Sequence, residues 1–300
     1  MSLSETLEKL RDNSPRSIYH FILSKIAKSN LQRFDQDTPC IFVLSTGRTG
    51  TETLAHLLDL SRDLFAYHEP TPYLYPLSKI AYEQESQIKD GSDYGRLFTS
   101  SLKSMREGLW NESLSCGRGY AETSPQVTFL ASLLGKMIPE ARFIHLVRHP
   151  MHVIRSGMRR GWFSGHPYDE YRITPKLDSP FAENWLNYSA LEKNAWLWAE
   201  TNHWISNFIQ TLPVNLSFTL SSESIFRNDE RLIQMLFDFL HIIKPSANSI
   251  RGAIARKYNR QESGDFQFEP DWLDSMDHDV SKFLRDISGH FEYELTPNNT

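Results

Sequence analysis

Cys40-Ile41-Phe42-Val43-Leu44-Ser45-Thr46-Gly47-Arg48-Thr49-Gly50-Thr51-Glu52-Thr53 is the stretch on which the reading of the whole chain turns. Its first part, 40–45, is a short unbroken apolar run, the pattern of a strand buried on both faces of a parallel sheet. Its second part holds two glycines and several hydroxyl side chains, and Leu54, Leu57 and Leu58 then recur at helical spacing. A strand, a glycine turn and a helix start in that order form an anion cradle. Glycines let backbone amides approach a phosphate, and the first N–H groups of a helix have no partner within it. Arg48 adds a planar guanidinium fork for phosphate oxygens. Gly47, Arg48, Thr49, Gly50, Thr51 and Thr53 are therefore the candidate anion ligands, set against the plainer alternative of a turn that merely joins strand to helix.

The ATP- and GTP-binding loop with a bound Mg²⁺ needs Lys and then Ser or Thr directly after its last glycine. Here Gly50 is followed by Thr51-Glu52, and the cation precedes the glycine. The second buried apolar run, 142–147 (RFIHLV), ends at Arg148 rather than at an Asp that would hold a metal. The expectation is a phosphate-like ligand held without a metal.

Working outward, residues 4–33 carry Ile18, Phe21, Ile22 and Ile26 on one helical face, and 35–39 form a polar connector. A short strand at 64–67 ends at His68-Glu69-Pro70, and loose helices fill 77–110. A strand at 119–123 precedes a helix through Phe129, Leu130, Leu133 and Leu134 that Pro139 closes. The run 142–147 leads into a helix at 150–160, then a loop at 161–184 rich in Gly, Pro and Tyr. Loops of that length in a compact domain are usually functional or mobile. A helix at 188–210, a strand at 216–220, a helix at 229–240 and a last helix near 275–287 complete the pattern. Alternating strands and helices imply an α/β fold, three layers α/β/α around a mostly parallel sheet with a P-loop-like nucleotide-binding architecture. Ligands in such folds bind beyond the carboxyl ends of the strands. The turns after Ser45, Tyr67 and Val147 should then face one cleft. The expected organisation is one domain over 1–300, with 1–38 a helical extension packed on it.

Composition narrows the function. The chain has 300 residues and a net charge of −5, with 40% hydrophobic and 23% charged residues. That balance is ordinary for a globular protein and argues against a general nucleic-acid partner. No run of apolar residues is long enough to span a bilayer, and residues 1–11 lack the apolar core of a secretory signal. The two cysteines, Cys40 and Cys116, have no metal-ligand spacing and read as small buried residues in a reducing compartment, which makes a cytoplasmic location the expectation. Within this acidic chain, 141–167 has no acidic residue but holds Arg142, Arg148, Arg155, Arg159 and Arg160. The usual reading of a basic run is a solvated helix face; in this setting an anion site is the better one.

Arg142-Phe143-Ile144-His145-Leu146-Val147-Arg148-His149-Pro150, running on to Ser156, resembles the 3′-phosphate-binding segment of the PAPS-dependent sulfotransferases (PAPS, 3′-phosphoadenosine 5′-phosphosulfate). In that segment a strand ends in Arg, X-Pro follows, and a helix carries Ser eight residues after the Arg; Arg148 and Ser156 match. Arg48-Thr49-Gly50-Thr51 is similar to the same family's 5′-phosphosulfate loop. The resemblance covers roughly 40–240 and implies PAPS as donor and 3′,5′-bisphosphoadenosine (PAP) as product. The family usually has Thr or Ser where Glu52 stands, and the Lys that some members carry before Ser-Pro is missing from Glu122-Thr123-Ser124-Pro125.

Sulfuryl transfer needs a base for the acceptor proton and a cation for the leaving phosphate. The resemblance points to Glu69 as base, with His68 its adjacent rival, and to Arg48 as the stabiliser of the leaving oxygen; Ser124 is a weaker candidate for the sulfonate. Neighbours on a strand point to opposite faces, so one of His68 and Glu69 is expected to reach the cleft. Tyr73, Trp162, His166 and Tyr168 are candidates for lining an acceptor site, although ordinary packing explains them equally well. Arg256-Lys257 and Gly264 are candidates for closing over the 3′-phosphate. The acceptor, whether small molecule, glycan or peptide, and the oligomeric state are not legible. An ATP- or GTP-dependent phosphotransferase and a non-catalytic nucleotide-binding homologue stand as alternatives.

Overall fold

The computed structural model describes residues 33–88, 92–256 and 265–296. The chain divides into Met1–Arg33 and Phe34–Thr300. The helix expected at 4–33 and most of the 1–38 extension lie outside the described residues, and the elements are those of the second unit.

In chain order they are β1 (Cys40–Leu44), α1 (Thr51–Asp59), β2 (Leu64–Tyr67), α2 (Tyr75–Glu83), α3 (Asp93–Ser115) and β3 (Gly119–Glu122). A 3₁₀ turn (Pro125–Leu130) runs into α4 (Ala131–Met137), followed by β4 (Arg142–Val147) and α5 (Pro150–Arg159). After a one-turn 3₁₀ segment (Asp169–Tyr171) come α6 (Ala190–Gln210), β5 (Ser217–Ser221), α7 (Ser222–Phe226), α8 (Glu230–Leu240), α9 (Ala247–Ala255) and α10 (His278–His290). The five strands form one sheet in the order β2-β3-β1-β4-β5. Every pairing is parallel, with Ile41 opposite Ala121 on one side of β1 and opposite Arg142 on the other.

The apolar runs become strands because both faces of the sheet are covered. Phe42, Leu44 and Phe143 pack with Leu102 of α3, Leu134 of α4 and Ile205 and Phe208 of α6. Ile41, Val43, Ile144 and Leu146 face the opposite layer, built from Leu54, Leu57 and Leu58 of α1 and Ile233, Leu236 and Phe237 of α8. Each such side chain contributes roughly 1.5–3 kcal/mol by leaving water. These are the three layers the alternation of elements implies.

Helix ends follow local capping. Ser189 and Glu192 form a capping box, so α6 begins at Ala190 rather than at the expected 188. Asp277 caps α10, which starts at His278 and not near 275. The 161–184 segment holds no helix longer than its one 3₁₀ turn. It is anchored by buried Trp162, Ile173 and Phe181, which pack into the core shared with α6 and α10.

Candidate active site

The turn after β1 is held from below by Thr128, whose Oγ1 accepts from the Ser45 N–H (3.1 Å) and donates to the Ser45 carbonyl (3.0 Å). Gly47, Arg48 and Gly50 all have positive φ, at 79°, 57° and 84°. Glycine tolerates this; at Arg48 the left-handed conformation is uncommon and marks a constrained site. A Cβ at Gly50 would also come within 2.8 Å of the Phe226 ring. Gly50 is the N-cap of α1 and supplies no side-chain cap, and the Leu54 N–H to Gly50 carbonyl bond (3.0 Å) is the first in the helix. The amides of Thr51, Glu52 and Thr53 are thus outside the helical ladder, at an end whose dipole favours an anion.

Three contacts knit this turn to the tip of β4. Arg148 Nη1 donates to the Arg48 carbonyl (2.9 Å), and Arg48 Nε donates to Ser156 Oγ (3.0 Å). Ser222, at the start of α7, lies between the Thr49 and Val147 carbonyls, in hydrogen-bonding contact with the first and 3.0 Å from the second. Burial first, then the charges of Arg160 and Arg148, push Arg48 down to about 10. Burial likewise lowers Arg148, opposed by Glu223 and Tyr293. The Arg148 Nε is buried without a hydrogen-bond partner among the described residues.

The segments that follow β1, β2 and β4 open onto one cleft of about 1480 Å³. Eight arginines and Lys79 line it, against two carboxylates, Glu52 and Glu69. Arg172 is partly committed, since its Nε donates to Asp169 (2.9 Å) and its guanidinium lies 3.9 Å from the Trp162 ring centroid. The uncapped helix end, the unpartnered Arg148 Nε and this surplus of cations fit a doubly phosphorylated adenosine.

His68 and Glu69 follow the last residue of β2, and both line the cleft. The expectation that only one would reach it is corrected. Strand alternation ends at Tyr67, and Glu69 adopts φ 45°, which returns its side chain to the same side. His68 Nδ1 sits 2.7 Å from the Thr123 carbonyl and 3.3 Å from Thr123 Oγ1. Glu69 Oε2 accepts from the Tyr75 hydroxyl (3.1 Å). Burial, followed by the Glu69 charge, raises Tyr75, so that phenol remains a donor.

The family profile described as Sulfotransferase family matches residues 39–243, more than half of the chain. The chain belongs to that sulfotransferase family. Solved structures similar to this sulfotransferase include the sulfotransferase domain of the Synechococcus PCC 7002 olefin synthase, with 15% identity and a TM-score of 0.51. That likeness covers 89% of this chain and 98% of the other. Another is the sulfotransferase domain from the curacin biosynthetic pathway, with 18% identity, a TM-score of 0.52 and coverage of 86% and 99%. At these identities the likeness is one of fold. No curated protein matches the sequence.

Of the residues singled out in this sulfotransferase's sequence, Gly47, Arg48, Gly50, Thr51, Thr53, His68, Glu69, Arg148 and Ser156 line the cleft. Thr49 does not: its side chain is buried, its carbonyl faces Ser222, and its hydroxyl has no hydrogen-bond partner among the described residues. Ser124 is also buried away from the cleft, accepting from the Gln126 N–H (3.2 Å) as a cap. Trp162, His166 and Tyr168 line the cleft, whereas Tyr73 is exposed outside it. Arg256 reaches the cleft; Lys257 and Gly264 lie outside the described residues. Glu52 also lines it, so the family's hydroxyl is replaced by a carboxylate near Arg48.

Sequence reading missed Lys79, Tyr75, Tyr171, Arg172 and Phe226 as cleft residues. Tyr75, Tyr168 and Tyr171 form an aromatic cluster, with ring centroids 5.2–6.3 Å apart. No local pattern marks these residues, because they come from separate loops and helices. Arg155, Arg159 and Arg160 were visible as an acid-free basic run, which was the available signal.

Proposed function

We propose that this sulfotransferase moves a sulfuryl group from PAPS to a hydroxyl or amine of an acceptor, using arginines in place of a metal. The observation that carries the reading is the meeting of Arg48 and Arg148 at the tips of adjacent strands, 2.9 Å apart through Nη1 and a carbonyl, in one cation-lined cleft. In the transfer, an acceptor oxygen forms a bond to sulfur while the bond from sulfur to the bridging phosphate oxygen breaks. Arg48 meets the charge that grows on that leaving oxygen; loss of such a group typically slows a reaction by about 10²–10³. Glu69 takes the acceptor proton. The tyrosine cluster and His166 line the acceptor side, where a small molecule, a glycan or a peptide residue would sit. Both cysteines are free thiols, Cys40 buried and Cys116 exposed rather than buried as its sequence context suggested, and they suit a reducing cytoplasm.

A second reading assigns the proton to His68, and one contact favours it. A carbonyl only accepts, so the 2.7 Å contact to the Thr123 oxygen places the proton on Nδ1 and leaves the Nε2 lone pair available as a base.

The test has two arms. Thermal shift in EDTA should show PAP stabilising the protein well beyond ATP, in proportion to differential affinity; equal shifts would favour a phosphotransferase. Glu69→Gln and His68→Gln are then compared against a panel of hydroxyl acceptors. The variant that binds PAP but loses turnover identifies the base, and a protein that sulfates nothing in the panel while binding PAP would point to a non-catalytic homologue.

A further inference from the structure

Arg106 lies in the interior of α3, 1% exposed, and takes no part in the cleft wall. Its Nε and Nη2 donate to Oε2 and Oε1 of Glu122, both at 2.8 Å, a two-pronged pair with both side chains out of water. The same guanidinium also reaches the backbone beyond β2. Nη1 donates to the Pro72 carbonyl (2.8 Å) and Nη2 approaches the Pro70 carbonyl (3.5 Å). Tyr120 completes the cluster by donating its hydroxyl to Glu122 Oε2 (2.7 Å).

The position of this pair is informative. Glu122 is the last residue of β3, and Thr123, next to it, supplies the carbonyl and hydroxyl that face His68 Nδ1. Pro70 and Pro72 bracket the turn that follows Glu69. Neither proline has an N–H, so this segment has few donors with which to hold itself. One buried side chain therefore grips the chain just after Glu69 and, through Glu122, the strand end that orients His68. Burying an ion pair generally contributes little net stability, because desolvation offsets the attraction. The geometry of this pair points to a role other than net stability.

We propose that Arg106 and Glu122 are positioning residues: together they lock the tips of β2 and β3 in register, so that His68 and Glu69 keep their orientation in the cleft. This rests on the reading that one of those two takes the acceptor proton, but the lock itself is a matter of geometry and can be tested without an acceptor.

Replacing both partners by methionine (R106M together with E122M) removes the lock without stranding a charge, a change that buried ion pairs often tolerate. Arg106→Lys keeps a charge opposite Glu122 but lacks the planar fork that also serves the proline carbonyls, and it stands in should the double variant not fold. The His68 ring is read by ¹⁵N NMR of the unliganded protein in alkaline buffer, assigned by its loss in His68→Gln. PAP affinity is read by calorimetry, and turnover as conversion of PAPS and water to PAP and sulfate. In the unaltered protein His68 should hold its proton on Nδ1. In the variants it should become a mixture of both tautomers, with turnover down about 10²-fold, the usual cost of a small misplacement, and PAP affinity unchanged. A His68 spectrum that keeps the single tautomer after the pair is removed would overturn the proposal, as would turnover and PAP binding falling together. Failure of PAP to bind the unaltered protein would strike the donor reading instead, while the NMR comparison would still decide the lock.

Discussion

Arg148 has its backbone and half its guanidinium already committed: the Trp198 indole N–H donates to its carbonyl (3.0 Å), and its Nη1 is spent on the Arg48 carbonyl. Its buried Nε has no hydrogen-bond partner among the described residues. A buried donor without a partner is costly, and a phosphate removes that cost while forming charge-assisted bonds of about 1.5–3 kcal/mol each. Arg148→Ala should therefore weaken PAP binding by about 10- to 10²-fold in calorimetry. Arg148→Lys should recover only part of that loss, because an ammonium cannot reproduce the fork. Arg48 and Arg148 were legible as candidate ligands because their strand-end positions are local properties. The burial of Thr49 and Ser124 was not legible: each is a hydroxyl in a plausible place, and only the packing around it takes its side chain out of the solvent-exposed cleft wall.

At the scale of elements, the β1–α1 turn, the end of β4 and the start of α7 meet at a single buried hydroxyl. Ser222 Oγ lies against the Thr49 and Val147 carbonyls, 173 and 75 residues away in sequence. A hydroxyl has one proton to donate, so it serves two acceptors only if both are held close to it. Ser222→Ala should leave these carbonyls without that donor and lower stability by about 1–3 kcal/mol. Because both loops are released at once, PAP affinity should fall as well. Denaturant titration and calorimetry on the same variant check both effects, and loss of stability with affinity intact would show that the clamp serves the fold alone. The elements themselves were readable wherever burial is two-sided, as in β1 and β4, whose bounds follow the apolar runs closely. Helix starts were read less well. The signals at Ser189-Ala190-Leu191-Glu192 and Asp277 were present but were outweighed by neighbouring apolar residues. The short α7 and the unassigned α9 carry too little periodicity to be seen alone.

At the scale of the whole molecule, His145 in the middle of β4 joins three parts of the chain. Its Nε2 is 2.8 Å from Asn202 Oδ1 of α6, and its ring packs edge-on against Phe291, just past α10. Burial pushes this imidazole down to about 4 from 6.5, despite the opposing bond to Asn202. The unfolded chain therefore binds a proton between those values that the folded chain does not. Stability from this residue is fully present above pH 6.5 and is lost as the pH falls through about 4. The loss is on the order of 3 kcal/mol. Urea midpoints measured across that range should decline for the protein and decline less for His145→Gln. Parallel slopes would show that other groups govern the acid limb. Among the described residues no helix is long and apolar enough to cross a membrane.

What the amino-acid order determined by itself was the local chemistry: apolar runs that form strands, a glycine turn suited to an anion, and that turn together with the Arg148–Ser156 spacing, which pointed to the sulfotransferase family. What only the tertiary structure decided was convergence. Arg48 meets Ser156 across 108 residues, both His68 and Glu69 turn into the cleft, and Arg106 joins Glu122 at the end of β3 to the Pro72 carbonyl beyond β2. The physical reason is that hydrophobic periodicity is read over one or two turns of chain. Which side chains share a cleft is set instead by the order β2-β3-β1-β4-β5, a property of the whole sheet.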